Sequence, residues 1–365
     1  MANANLGKAK AGKNDEFYTQ YVDIQKEVNA YLEYDQNVFR GKTILLPCDD
    51  PEWSNFTKFF AQNFEQYGIR RLISTSFAPE AKKIKSWQPT LFETESPYYD
   101  ADKSRTNGKI FILDQDTDMS GRIDINDLKW SYLEGDGDFR SEEVKRLRDE
   151  ADIIITNPPF SLFREFVKWI NEANKQFLII GNQNAITYKE IFPLIKNNKM
   201  WLGKGFTGGA AHFISNYEDV ATAGNHIEGM IRVSGVVWFT NIDHGRRHQP
   251  LSLMTMEDNI MYSKHKEVKN LGYAHYDNYD AIEVPYSDAI PVDYEEIMGV
   301  PISYIDKYCP EQFEILGLAA GNSNKSFPEL EELCGHKTNY PKDKGGCGVI
   351  NGAPVYARIL IRKKQ

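Results

Sequence analysis

The segment Asp152–Phe160 constrains the fold of this chain more than any other part of the sequence. Its β-branched run Ile153–Ile155 is too short for a helix and predicts a buried strand of a parallel sheet. Two consecutive prolines follow, and they prevent both further strand pairing and an immediate helix. The chain must therefore leave the strand by a stiff turn at its carboxyl end, where open α/β sheets bind ligands. We predict a helix next, over residues 162–171, with Ser161 as its N-cap.

The turn presents one side-chain amide and one aromatic ring, and this pair suits a particular chemistry. An exocyclic amino group of a nucleobase is a weak nucleophile because its lone pair is delocalised into the ring. The Asn157 side chain and the Pro158 carbonyl are placed to accept its two N–H hydrogens, on a turn that Pro159 keeps rigid. The Phe160 ring would stack on an extruded base. A plain turn is the alternative, and we favour amino-methyl transfer because a strand and a helix flank the motif.

The same residues carry a family resemblance. Asn157-Pro158-Pro159-Phe160 resembles the catalytic motif of S-adenosylmethionine-dependent, amino-forming DNA methyltransferases. Five separated motifs together resemble the EcoRI-type adenine-specific DNA methyltransferases, from about residue 13 to residue 318 and in the final strand. These motifs are Asp15–Tyr21, Cys48–Pro51, Gly135–Arg140, Ile155–Glu165 and Gly299–Ile302.

The resemblance implies both a fold and a reaction. The implied fold is a Rossmann-like class I methyltransferase, an α/β fold with a doubly wound, mostly parallel sheet and an inserted target-recognition region. The implied reaction is site-specific methylation of N6 of a flipped adenine in double-stranded DNA, with S-adenosyl-L-methionine as the cofactor. The alternatives are a cytosine-N4 or protein glutamine methyltransferase, or a DNA-binding module without catalysis.

Several segments are expected to contact the cofactor. By resemblance, Phe17, Tyr18 and Thr19 lie beside its methionine carboxylate. Cys48 and Asp49 follow a predicted strand, in an acidic turn without the Gly-x-Gly pattern of a phosphate site. Such a turn suits a ligand that carries an amine and a sulfonium but no phosphate. A capping role is the alternative for Asp50, and we favour a cofactor contact for Asp49.

The resemblance also places the turn at residues 135–140 in the wall of the cofactor pocket. There Asp136 would accept a hydrogen bond from the adenine amino group of the cofactor, and Phe139 would stack on its ring. An acidic turn without those contacts is the alternative. The predicted second strand, residues 71–76, does not end in the carboxylate with which many relatives bind the ribose.

The segment 116–127 matches part of a calcium-binding loop. Its oxygen donors occupy the expected spacing, although a serine and a final aspartate depart from the pattern and a strand precedes it. We favour a hairpin between two strands and keep calcium as the alternative. The candidate ligands are Asp116, Asp118, Ser120, Asp124 and Asp127.

The chain divides into four expected segments. They are a flexible basic arm (1–14), a cofactor-binding and catalytic core (15–203), a target-recognition region (204–290) and a C-terminal part that packs on the core (291–365), with a polar excursion at 320–354. In the recognition region, Arg246, Arg247 and His248 are the expected DNA contacts, with solvated surface as the alternative. A glycine-rich stretch, residues 203–209, would close over the flipped base or serve as a linker. We also expect a helix over residues 310–317.

Composition sets the remaining expectations. No run is apolar enough to span a bilayer, no signal peptide precedes the polar start, and four scattered cysteines give no disulfide framework. These features favour a cytoplasmic protein without a membrane partner, and we expect a monomer. The net charge of −9 argues against a polyanion partner, but a phosphate footprint is local. A cognate restriction endonuclease acting on the same DNA site is the expected partner enzyme.

Overall fold

The computed structural model describes residues 18–49, 52, 54–80, 88–206, 210–214 and 227–364. The chain divides into two compact units: unit 1 comprises residues 1–183 and 203–244, and unit 2 comprises residues 184–202 and 245–365. The predicted arm, residues 1–14, lies outside the described residues, and the predicted recognition region is shared between the two units. No helix in the described part of the chain is long and apolar enough to cross a membrane.

The elements are numbered in chain order. The helices are α1 (Tyr21–Tyr34), α2 (Asn55–Gln62), α3 (Phe64–Tyr67), α4 (Leu91–Thr94), α5 (Lys103–Thr106), α6 (Glu142–Glu150), α7 (Phe163–Glu172), α8 (Phe192–Lys196), α9 (Met256–Tyr262), α10 (Lys266–Leu271), α11 (Ser323–Ser326) and α12 (Leu330–Cys334). The strands are β1 (Thr43–Leu46), β2 (Arg71–Thr75), β3 (Lys109–Leu113), β4 (Lys129–Tyr132), β5 (Ile153–Thr156), β6 (Gln176–Asn182), β7 (Trp201–Leu202), β8 (Ala210–Ile214), β9 (Met230–Ser234), β10 (Val236–Thr240), β11 (Ala281–Glu283), β12 (Ile297–Pro301), β13 (Phe313–Ala319), β14 (Val349–Ile350), β15 (Ala353–Pro354) and β16 (Arg358–Lys363).

A large mixed sheet forms the centre of unit 1, with the strand order β4-β3-β2-β1-β5-β6-β10. The four central strands β2, β1, β5 and β6 are parallel. Every residue of β1 and β5 is buried, as expected for strands that are covered on both faces. The α/β class and the parallel centre are confirmed. The two sides are antiparallel, since β3, β4 and β10 each pair antiparallel with a neighbour.

The strand order determines where loops can meet. The chain passes from β1 to β2 on one side, whereas β5 and β6 lie on the other side of β1. The winding direction therefore reverses between β1 and β5, which is where open α/β sheets bind ligands. Because parallel strands end at the same edge, the loops after β1, β2 and β5 converge there.

The helix after the turn at residues 157–160 begins later than predicted. A 3₁₀ turn occupies Phe160–Leu162, and α7 starts at Phe163 with Leu162 in the N-cap position and no side-chain cap. The predicted N-cap Ser161 is therefore wrong. Leu162 N–H donates to the Pro159 carbonyl at 2.9 Å, so the prolines lead the chain into a tight turn first. The Phe163 ring lies against Gly181 of β6, where a Cβ would approach it to 2.5 Å.

Unit 2 contains a four-stranded sheet in the order β11-β12-β16-β13. The helix predicted over residues 310–317 is wrong, because this part of the chain forms β13 and pairs antiparallel with β16. The register shifts between Ile315 and Gly317, and such a bulge breaks the alternation that identifies a strand. The predicted excursion at 320–354 contains α11, α12 and the β14–β15 hairpin.

Candidate active site

Asn157 follows the last residue of β5 and is 7% exposed. Its side-chain Nδ2 donates to Thr19 Oγ1 at 3.4 Å, so a predicted catalytic residue meets a predicted cofactor residue. Thr19 is held in turn by Asn55 at the start of α2, which donates to the Thr19 carbonyl at 2.8 Å. These contacts bring the segment before α1 to the carboxyl edge of the sheet.

Asp49 lies in the loop after β1 and is surrounded by hydroxyl groups. Its carboxylate accepts hydrogen bonds from Ser54 Oγ at 2.9 Å and from Thr156 Oγ1 at 2.8 Å. Its carbonyl accepts one from Ser74 Oγ at 3.2 Å. Cys48 precedes it in the left-handed region, with φ at +64°, and is partly exposed. Asp49 is therefore fixed between the carboxyl ends of β1, β2 and β5.

Tyr18 holds the segment before α1 against a hairpin. It forms an isolated antiparallel bridge with Ile214 of β8, in which Ile214 N–H donates to the Tyr18 carbonyl at 3.1 Å. Gln20 Nε2 donates to the His212 carbonyl at 2.7 Å. Because β8 pairs with β9, the N-terminal segment extends this hairpin. The predicted cofactor residue Phe17 lies outside the described residues.

The turn with Asp136 packs across the end of β2. Ala78 N–H donates to the Asp136 carbonyl at 2.7 Å. Gly137 has φ at +81°, and a Cβ there would lie 2.1 Å from the Ser76 carbonyl oxygen, so only glycine fits. The carboxylate of Asp136 accepts from the Asp138 N–H at 3.0 Å. The turn thus supplies a carboxylate at the edge where β2 itself ends without one.

Phe139 and Phe160 are both buried. Phe139 packs edge-on against Phe166 and Trp169 of α7, with ring centroids 5.1 and 5.6 Å apart. Phe160 is 6% exposed and belongs to the apolar cluster around α1, α2 and the sheet. Pro158 is buried and Pro159 is half-buried. Both rings therefore have packing roles, and their stacking on cofactor or base stays a prediction.

A buried charge network beside this edge was not predicted. The Lys109 ammonium lies 2.6 Å from Glu52 Oε1 and 2.7 Å from Glu93 Oε2. Tyr132 donates to Glu93 and Thr90 donates to Glu52, each at 2.7 Å. Burial acts to lower the pKa of Lys109, but its hydrogen bonds with the two glutamates outweigh burial and raise it. The network joins the loop after β1 to the starts of β3 and α4.

Glu27 of α1 is a second residue that sequence reasoning missed. This buried carboxylate accepts hydrogen bonds from the backbone N–H groups of Lys204 and Gly205, at 2.9 and 3.0 Å. Tyr31 also donates to it at 2.8 Å. The start of the glycine-rich stretch at 203–209 is thus anchored to α1, and residues 207–209 lie outside the described part of the chain. Only the short spacing between Glu27 and Tyr31 on one helix face gave a local signal.

Only three of the five candidate calcium ligands lie together in the described part of the chain. Within the described residues, the carboxylates of Asp116, Asp118 and Asp127 have oxygens within 4.8 Å of one another, and Asp124 is not in that group. Ser120 instead donates its N–H to Asp116 and Asp118. Backbone N–H groups of the loop, that of Asp124 first, lower the pKa of Asp127 to about 2. The flanking strands β3 and β4 pair antiparallel, as a hairpin requires.

The basic run at 246–248 lies in unit 2, in the 3₁₀ turn Gly245–His248. Arg246 forms an ion pair with Asp306 at 2.6 Å, and His248 Nδ1 lies 2.8 Å from Glu311. Arg247 is 8% exposed; its guanidinium lies 3.8 Å from the centre of the Trp201 ring and donates to Asn198. A DNA contact by Arg247 would require its release from Trp201. The DNA-binding role of the run stays a prediction.

Comparison with known proteins decides the family. A sequence model of the family described as adenine-specific methyltransferase EcoRI matches residues 5–364. The chain belongs to this family. Type II methyltransferase M.EcoRI of Escherichia coli is 38% identical, over 100% of this chain and 97% of that protein. M.MgeORF184P of Mycoplasma genitalium and M.MpnI of Mycoplasma pneumoniae are each 31% identical, over 99% of this chain and 99% and 98% of theirs. No solved structure matches the chain at a significant level.

Membership of the EcoRI family confirms the activity that the motifs predicted. The chain is a DNA adenine methyltransferase. The family implies S-adenosylmethionine as the methyl donor and DNA as the substrate. The large sheet with its parallel centre is consistent with a methyltransferase fold.

Proposed function

We propose that the chain methylates N6 of an adenine extruded from double-stranded DNA, on a Rossmann-like class I fold. The strand order supports this fold, because β1 lies between β2 and β5 and an antiparallel β10 follows β6. The observation that carries the proposal is the position of Asn157. It lies at the point where the winding reverses, within hydrogen-bonding distance of Thr19 and beside the loop that holds Asp49.

The residues at this edge fit S-adenosylmethionine. They offer carboxylates at Asp49 and Asp136, which suit an ammonium and the amino or hydroxyl groups of a nucleoside; each Asp49 oxygen accepts a protein hydroxyl, and a carboxylate oxygen can accept more than one hydrogen bond. They offer no glycine-rich phosphate cradle, and this cofactor has no phosphate. When bound, it supplies an electrophilic methyl group on a sulfonium. The residues we propose to hold it are Phe17, Tyr18, Thr19, Cys48, Asp49, Asp136, Phe139 and Asn157.

The proposed catalytic groups lie in the turn after β5. We propose that the Asn157 side-chain oxygen and the Pro158 carbonyl accept the two N–H hydrogens of the target amino group. Positive charge develops on that nitrogen as it attacks, and fixed acceptors stabilise it more than they stabilise the neutral base. The two prolines hold the acceptors in place, and the burial of Asn157 keeps water away from it. No covalent enzyme intermediate is required.

Substitution of Asn157 tests this mechanism. We expect Asn157→Ala to lower the rate of methyl transfer by about 10²–10³-fold, the usual cost of one preorganised group. Binding of S-adenosylmethionine, measured by calorimetry, should stay within about threefold, because the other proposed cofactor residues, Asp49 and Asp136 among them, remain. Asn63→Ala is the matched control, since Asn63 is a half-buried amide in unit 1 whose side chain donates to the Phe59 carbonyl of α2. Full activity in Asn157→Ala would reject the mechanism.

We also propose that the region 204–290 recognises the target and that Arg246, Arg247 and His248 contact DNA phosphates. Arg246 and His248 each have an exposed or half-exposed carboxylate partner, for which a phosphate can exchange. Arg246→Ala should weaken DNA binding and reduce its dependence on salt, with equal effect on unrelated sequences. Unchanged affinity across a salt series would remove Arg246 from the interface.

A DNA site shared with a restriction endonuclease is part of the proposal. It is supported by the relatives, which are named type II methyltransferases. Methylome sequencing of an unmodified bacterial host that expresses the chain would give the recognition sequence. Methylated adenines at one short motif are expected, and methylation scattered over unrelated motifs would contradict site specificity.

A further inference from the structure

The loop after β1 lacks the glycines that commonly shape a turn between a strand and a helix, so other groups must fix it. Three buried side-chain hydroxyls do so, those of Ser54, Ser74 and Thr156. Each of the two carboxylate oxygens and the carbonyl oxygen of Asp49 accepts a hydrogen bond from one of them. Asp49 is therefore held by the side chains of Ser54 at the N-cap of α2, Ser74 in β2 and Thr156 in β5.

Thr156 differs from the other two because it immediately precedes Asn157. Its hydroxyl lies 2.8 Å from Asp49 Oδ2 and also contacts the Pro47 carbonyl oxygen. It thus connects the residue beside the catalytic amide to both the backbone and the carboxylate of the loop after β1. Its side chain is fully buried, so water does not replace these contacts.

The pairing of β5 shows why this connection matters. The ladder between β1 and β5 pairs Ile44 with Ile153 and Leu45 with Ile154, and it ends there. On the other side, the ladder to β6 continues to Thr156. Towards β1, the hydroxyl of Thr156 therefore continues the link between the two strands after the backbone pairing has stopped.

We propose that Thr156 is a positioning residue that fixes Asn157 relative to the loop carrying Asp49, an inference that rests on the proposed role of Asn157. Methyl transfer between two bound groups is sensitive to displacements well below 1 Å. Loss of the hydroxyl frees the carboxyl end of β5 from β1 while its ladder to β6 remains. Asn157 then shifts relative to the methyl donor, although neither ligand loses a direct contact.

The test compares variants that differ in one hydroxyl. Thr156→Val is isosteric and removes the hydroxyl, and Thr156→Ser keeps it. We expect Thr156→Val to lower kcat for DNA adenine methylation by about 10–100-fold, with the KM for DNA unchanged. Thr156→Ser should stay within about threefold of the wild type. Thr75→Val is the matched control, because Thr75 ends the neighbouring strand β2, is fully buried, and its hydroxyl has no hydrogen-bond partner among the described atoms.

The outcomes separate a positioning role from a structural one. A purely structural role would lower the melting temperature and the fraction of protein that binds cofactor, but kcat per binding-competent enzyme would stay constant. Such a result, or equal kcat in Thr156→Val and the wild type, overturns the proposal. If Thr156→Val does not fold, the pair Thr156→Ser and Thr156→Ala decides, since only the hydroxyl separates them and equal kcat rejects the role. An inactive wild type would instead reject the proposed function.

Discussion

Replacing Lys109 by methionine should destabilise unit 1 far more than the loss of a surface charge. The Lys109 and Glu52 side chains are 8% and 9% exposed, and that of Glu93 is 1% exposed. Removing one partner of such a buried pair costs about 3–5 kcal/mol, because the remaining charges stay desolvated. The hydroxyl groups of Tyr132 and Thr90 still donate hydrogen bonds to Glu93 and Glu52, so we expect a loss of stability of about 3 kcal/mol. This value corresponds to a more than hundredfold rise in the population of opened molecules.

The measurement is amide hydrogen exchange in β3, which reports the local opening free energy without assuming that the two units unfold together. The control is Lys145→Met, which breaks an exposed pair with Glu142 and should cost at most about 0.5 kcal/mol. The double variant Lys109→Met/Glu93→Gln contains one unpaired buried carboxylate fewer than Lys109→Met, because Glu93 is replaced by a neutral amide. It should be more stable than Lys109→Met alone, which is a strongly non-additive result. Equal losses in Lys109→Met and Lys145→Met, or additive effects in the double variant, would refute the reasoning.

Three further predictions concern the loops around the sheet edge. Gly137→Ala should destabilise the protein by more than about 2 kcal/mol and weaken cofactor binding. Gly121 has the same φ of +81° but open space around it, so Gly121→Ala should cost about 1 kcal/mol. Equal shifts in melting temperature for the two variants would contradict the clash with Ser76. Iodoacetamide should label Cys48 first, since the other three cysteines are buried, and S-adenosylmethionine should slow that labelling. If mass spectrometry shows the same labelling rate with and without the cofactor, Cys48 does not lie in the cofactor site. The pKa of Asp127 lies at about 2, below its usual 3.8, so its hydrogen bonds stabilise the fold above pH 4 and are lost as pH falls towards 2. The stability gap between wild type and Asp127→Asn in urea unfolding should therefore narrow from pH 5 to pH 3, and a constant gap would count against these bonds.

The sequence predicted the features that local pattern encodes. The run Ile153–Ile155 is β-branched and ends at two prolines, so both the strand and the turn with Asn157 could be read directly. β13 could not be read in this way, because its bulge removes the alternation of buried and exposed residues.

The contacts that organise the site are not local. Lys109 meets Glu52 across 57 residues, and Thr156 meets Asp49 across 107. A single sequence carries no sign of which distant carboxylate an isolated charge or hydroxyl will find. The same limit applies to Phe139 and Phe160: their stacking on ligands stays a prediction, and the apolar packing of both rings could not be predicted from the motifs. The order of the motifs predicted the candidate site residues, and the sheet topology determines which of those residues are in contact.

The attachment of the N-terminal segment to β8 makes that segment depend on a distant part of the chain. Gln20 and His212 are 192 residues apart, and Tyr18 bridges Ile214. A truncated chain that ends before β8 lacks both contacts and keeps the hydrogen bond from Asn55 to the Thr19 carbonyl. The segment that carries Thr19 would therefore be held less firmly beside Asn157 in such a fragment.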